Sequence, residues 1–107
     1  MAFQLNWMRQ ASNDWNRLDG SARKIVAKKL NGRLVNPHVA GDRLFGNLSG
    51  CYRLKFKKLG LRLVYTVIDN KLEVLVIAVG NRADGEVYEL AEQRRLEFKD
   101  NGHRPLG

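Results

Sequence analysis

Arg53, Lys55 and Lys57 occupy every second position of C-Y-R-L-K-F-K-K-L-G-L-R-L-V-Y, the stretch from Cys51 to Tyr65, with Tyr52, Leu54 and Phe56 next to them. Successive side chains of an extended chain point to opposite faces, so this alternation gathers cations on one face and apolar groups on the other. Reading Leu59-Gly60 as a two-residue turn pairs Lys57 with Arg62, Lys55 with Val64 and Arg53 with Thr66, which adds Arg62 to the cationic face. A three-residue loop would set Lys55 beside Leu63 and mix the faces, so side-chain parity favours the shorter connection. Cations fixed on a sheet suit a phosphodiester. Cleavage of RNA by its own 2′-hydroxyl needs a proton acceptor, charge relief on the pentacoordinate phosphorus and a donor for the departing 5′-oxygen, all of which cations can supply without a metal. Lysine acts as a base only when neutral, a form that neighbouring cations favour, whereas arginine stays charged and serves as a clamp. Arg82 is a further cation just past the end of the strand that follows. His38, His103 and Cys51 are scattered and no carboxylates have ligand spacing, so no metal or other cofactor is expected.

The surrounding charge points the same way. The chain of 107 residues carries a net charge of +8, yet eleven of its Lys and Arg and only one acid, Asp42, fall between Gly20 and Ile68. Such a concentration fits a polyanionic partner, nucleic acid before an anionic membrane surface. Length and a 44% hydrophobic content fit one globular domain with a modest core. A single cysteine fits a reducing compartment. No basic leader precedes an apolar run at the N-terminus, and the longest apolar run, Val74 to Val79, is too short to cross a bilayer, so a cytoplasmic protein is expected.

The positioning elements follow from periodicity. Phe3, Leu5 and Trp7 alternate as in a short strand; Met8, Ala11, Trp15 and Leu18 recur at helical spacing, which puts both tryptophans in the core. Ser21 is the expected N-cap of a second helix reaching about Val35, where Asn36-Pro37 stops it. Its apolar stripe is Ala22, Ile25, Val26, Leu30 and Leu34. Lys24 and Lys28 lie on the wet face, either as ordinary solvated charges or as a second phosphate-tracking stripe, while Lys29 and Arg33 must snorkel outward. Residues 37–50 read as a loop, Asp69-Asn70 as a turn, and Leu72 to Val79 as a strand buried on both faces. A last helix is expected from about Asp84 to Leu96, anchored only by Val87, Leu90 and Ala91 and so weakly docked, with Arg94-Arg95 complementing the dipole of its last turn. The fold class is therefore α+β: an antiparallel-rich four-stranded sheet in the order β-α-α-β-β-β-α, with the helix pair on one face and the cations on the other. Residues 1–97 form the domain and residues 98–107 a flexible tail.

The order of elements, G-C-Y-R-L-K-F-K, G-L-R-L-V-Y-T-V-I-D, and V-I-A-V-G-N-R followed by E-V-Y resemble the RelE family of bacterial type II toxin–antitoxin systems, within the RelE/ParE superfamily. The resemblance spans roughly residues 2 to 97. It implies a cytoplasmic endoribonuclease, an mRNA interferase that cuts mRNA in the ribosomal A site and is held inactive by a cognate antitoxin. Carried over position by position, it makes Lys55 the general base, Arg53 a second cation, Arg62 the clamp on the scissile phosphate, Arg82 the group that protonates or stabilises the leaving oxygen, and Tyr88 the residue stacking on a base. Lys57 and Lys58 join Lys24 and Lys28 as RNA contacts. Asn81 and Asp84 depart from the family pattern, which is basic there. Each residue also has a plainer reading: cations on the wet face of a half-covered sheet, Arg82 as a cap on a carbonyl, Tyr88 as a packed helix residue. Tyr52 and Tyr65 read as core and Cys51 as a small buried residue. His38 and His103 match no catalytic position and read as surface or loop residues. Two other functions remain open, a ParE-like gyrase-directed toxin and a non-catalytic nucleic-acid-binding module.

Overall fold

The computed structural model describes residues 2–81 and 85–102, with side chains as far as Glu97; Arg82, Asp84 and His103 lie outside the described residues. The alternating N-terminal residues form strand β1, Gln4–Trp7, followed by helix α1, Arg9–Asn16, and helix α2, Gly20–Arg33. Trp7 and Trp15 meet with ring centroids 5.2 Å apart and pack against the core, as their apolar spacing implied. Asp19, not Ser21, caps α2: its Oδ1 accepts a hydrogen bond from the Ala22 N–H at 2.8 Å. A carboxylate at this spacing answers an orphan N–H and also meets the positive end of the helix dipole. Helix α2 buries Ala22, Val26 and Leu30, while Ile25, expected in the same stripe, is half exposed.

Strands β2 (Cys51–Phe56), β3 (Leu61–Ile68) and β4 (Glu73–Asn81) form a meander, and the sheet order is β1-β4-β3-β2. Strand β1 runs parallel to β4 and the other pairs are antiparallel. Flanked on both sides, β4 is buried from Val74 to Val79, as its β-branched run requires.

The hairpin keeps its parity and changes its register. Lys55 faces Arg62, Arg53 faces Val64 and Cys51 faces Thr66, each two positions from the expected partners. The reason is the turn. Lys57–Leu59 wind into a 3-10 turn that Gly60 closes at φ 64, a left-handed conformation costly for any residue with a β-carbon. Residues 57–60 thus form the loop, and lengthening it by an even number preserves which side chains share a face. Lys57 leaves the strand and its place opposite Arg62.

Both sheet faces are covered, but unequally. Against α1 and α2 lie Leu54, Phe56, Leu63, Tyr65, Val74 and Val76, with Tyr52 stacked on Tyr65 at 5.5 Å. The other face holds Cys51, Val64, Ile77 and Ala78 under Val87 and Ala91 of helix α3, Glu86–Gly102. The cations therefore occupy only the hairpin end of this face. Helix α3 also continues past Leu96, so Arg94 and Arg95 sit in its middle instead of its last turn. Arg95 Nη1 donates to Asn47 O at 2.9 Å, and Arg94 is buried in an ion pair with Asp14. His38, on the loop after α2, bridges the Tyr52 hydroxyl (2.8 Å) and Asp69 Oδ1 (2.7 Å), a structural tie between elements.

Candidate active site

A single row crosses three strands: Lys55 on β2 faces Arg62 on β3, which faces Gly80 on β4. Arg53 lies one pleat along on the same face, opposite Val64. All three cations are partly exposed, so they stay wet enough to remain available while their backbones are fixed by the ladder. Glycine at position 80 leaves the third place in the row without a side chain. A β-carbon there would lie 3.6 Å from Val87 Cβ, so the first turn of α3 rests against the β4 end of the row. Tyr88, the next residue, is partly buried against the apolar cluster of this face. Lys55, Arg62, Arg53 and the helix bearing Tyr88 are thus brought together.

The sequence-chosen RNA contacts divide. Lys57 and Lys58 are exposed on the hairpin turn and line an open groove of about 480 Å³ with Lys55, Lys29 and the apolar Ile25, Phe56 and Leu59. Lys24 and Lys28 are exposed on α2, the layer across the sheet from the row. Lys29 snorkels as expected: its Nζ donates to Lys55 O at 2.6 Å and lies 5.2 Å from the Phe56 ring centroid. It closes an exposed carbonyl of the edge strand, which steadies the backbone that carries Lys55.

Asp42, the lone acid of the basic segment, was not singled out by residue pattern, although its isolation was a usable signal. It accepts a hydrogen bond from Arg33 Nη2 and lies 3.6 Å from Arg53 Nε, so it bridges one arginine from each side of the β2 edge. Arg53 Nε is buried and makes no hydrogen bond among the described residues, so Asp42 is the charge that offsets it. Burial alone would lower the pKa of Arg33, but hydrogen bonds to Tyr65 and Asp42 outweigh it and hold the guanidinium above its ordinary value. The Tyr65 hydroxyl accepts from Arg33 Nη1 at 3.0 Å and donates to Pro37 O at 2.7 Å. Burial raises the Tyr65 phenol above its ordinary value despite the Arg33 charge beside it. The result is a neutral phenol and a cation–anion–cation chain, Arg33–Asp42–Arg53, that ends on the face of the row.

Residues 5–85 match the family model of the ParE toxin of type II toxin–antitoxin systems. The mRNA interferase toxin RelE of Escherichia coli K12 is 40% identical over 96 residues, which is 90% of this chain and 100% of that one. This chain belongs to the RelE family. A second E. coli relative, a RelE-like toxin protein, is 39% identical over 94 residues, covering 88% of this chain and 98% of its own length. Among solved structures, an arginine-to-alanine variant of E. coli RelE in the free state superposes with a TM-score of 0.79 at 38% identity, over 88% of this chain and 98% of that one. The toxin in the intact E. coli RelBE toxin–antitoxin complex superposes at 0.72 with 38% identity, over 75% of this chain and 96% of that one. The matching family model bears the ParE name, whereas the two relatives at 39–40% identity are RelE-type.

Proposed function

We propose that this RelE-family toxin is a ribosome-dependent endoribonuclease that cuts mRNA in the A site and so stops translation. The observation that carries this is the placement of Lys55 and Arg62 as direct cross-strand partners, with Arg53 beside them and α3 laid across the end of the row. In the proposed step Lys55 takes the proton of a 2′-hydroxyl, and the 2′-oxygen attacks the adjacent phosphorus. Arg62 and Arg53 hold the non-bridging oxygens as negative charge builds. The P–O5′ bond breaks, and Arg82 stabilises the departing oxygen as it takes up a proton from solvent water. The products are a 2′,3′-cyclic phosphate and a 5′-hydroxyl. Tyr88 stacks on a neighbouring base and sets the in-line angle. Lys57 and Lys58, at the rim, contact flanking phosphates; Lys24 and Lys28, on the far layer, suit ribosomal RNA rather than the message. A cognate antitoxin neutralises the toxin, as the RelBE complexes of its relatives suggest, and the reaction takes place in the cytoplasm.

Inducing the protein and mapping mRNA ends on ribosomes tests the reading. New ends with a 5′-hydroxyl are expected from the wild type, and their loss from Lys55→Ala and Arg62→Ala. Ends that persist in both variants would overturn the residue assignment. The match to the ParE model sustains a second reading, inhibition of gyrase by protein binding. It would appear as lost supercoiling activity with intact messages.

A further inference from the structure

Strand β1 pairs with β4 only as far as Val76, where the Met8 N–H donates to Val76 O at 3.0 Å. Beyond that point β4 has an open edge. The register to β3 shifts at Val64/Tyr65, which leaves Ile77 as the extra residue of a bulge. Two side chains take the place of the missing strand. Arg94 Nη1 donates to Ile77 O at 3.0 Å, and Asp14 Oδ2 accepts from the Val79 N–H at 3.0 Å. Arg94 and Asp14 also close on each other, Nη1 to Oδ2 at 2.6 Å and Nη2 to Oδ1 at 3.2 Å. Both are buried, Asp14 to 3% and Arg94 to 9% exposure.

Stability alone is a poor reason for this pair. Stripping water from two charges costs about as much as their attraction gains, and apolar residues often do as well. What apolar residues cannot do is satisfy a bulged carbonyl and the next free N–H in one fixed orientation. The pair also joins three elements at one point: α1 through Asp14, α3 through Arg94, and β4 immediately before Gly80–Asn81.

We propose that Asp14 and Arg94 are positioning residues for cleavage. Their clamp on Ile77 and Val79 fixes the direction in which β4 leaves the sheet and the seating of α3, and thereby the placement of Tyr88 against the Lys55–Arg62 row. This rests on the nuclease reading above. Neither residue faces the row, so the clamp acts through α3 and β4 and not by touching RNA.

The test compares Arg94→Met, which keeps the aliphatic stem, with Arg94→Lys, which keeps the charge but loses the two-pronged grip. Cleavage of mRNA on programmed ribosomes is measured per folded molecule, well below each variant's unfolding midpoint. Arg94→Met is expected to lose at least tenfold in kcat with KM for the ribosome unchanged, and Arg94→Lys to recover midpoint more fully than kcat. Wild-type kcat in both would overturn the proposal, since a merely stabilising pair changes only the folded fraction. Should Arg94→Met not fold, Arg94→Lys decides alone: a several-fold drop in kcat supports the clamp and an unchanged kcat overturns it. If the wild type leaves ribosome-bound mRNA uncut, the nuclease reading falls and amide exchange judges the clamp. Faster exchange in residues 86–97 of the Arg94 variant over an unchanged sheet supports it; unchanged protection there overturns it.

Discussion

The two ends of one sheet face contrast sharply in chemistry. At the hairpin end Arg53 and Lys55 on β2 and Arg62 on β3 stand partly exposed, whereas Val64 on β3 and Ile77 and Ala78 on β4 are sealed under Val87 and Ala91. The hairpin end is regular ladder left open, whereas the covered end is bulged at Ile77 and roofed by α3. The covered end fixes the strands, so the open end can hold like charges close together without a core of its own. Stability and activity should therefore separate along β3, and mutations at the two ends should fall into different classes.

The largest effect belongs at the open end. Lys55→Ala should lower single-turnover cleavage by about 10²–10⁴-fold, the range for a lost general base, while stability stays within about 0.5 kcal/mol because the side chain is not part of the core. At the covered end the pattern reverses. Ile77→Ala should cost about 2–5 kcal/mol in chemical denaturation, through lost burial and a cavity, with a loss of cleavage per folded molecule far smaller than that of Lys55→Ala. Equal losses of activity at both ends would erase the distinction.

Asp42 lies on the boundary and should show both effects. Asp42→Ala removes the acceptor of Arg33 and the counter-charge of Arg53. A stability loss of about 1–3 kcal/mol is expected, with cleavage down by about tenfold as Arg53 loses its fixed orientation. Loss of stability without loss of cleavage would confine Asp42 to the core network. The smallest effect is one of pH. The Tyr65 phenol is raised by burial, so its share of stability is complete below its unfolded value of about 10 and is lost as pH rises through the higher folded value. Tyr65→Phe should lower stability near pH 7, since Pro37 O and Arg33 each lose a partner, and should flatten the alkaline limb of the unfolding curve.

The sequence carried the strand alternation, the buried central strand and the face on which the cations lie, because side-chain parity is a local property. Register was not local in the same way. A Leu-Gly pair reads as a tight turn, but the 3-10 winding of Lys57–Leu59 ahead of the left-handed Gly60 adds two residues and moves Arg62 from Lys57 to Lys55. Asp19 and Ser21 are both good caps, and it is the earlier one that accepts the Ala22 N–H. The face taken by α3, the bridge of Asp42 and the Asp14–Arg94 pair depend on contacts between residues far apart in the chain, which no periodicity announces. Arg94-Arg95 looked like a dipole pair at a helix end because the helix was expected to stop near Leu96.

The central claim is that Lys55 and Arg62 work as one unit on one phosphodiester. Single-turnover cleavage by the wild type, Lys55→Ala, Arg62→Ala and the double variant measures that coupling directly. The prediction is a large loss in each single variant, with the double variant little worse than the slower of the two, as for groups that serve the same transition state. A single variant that cuts at the wild-type rate, or losses that simply multiply, would contradict it.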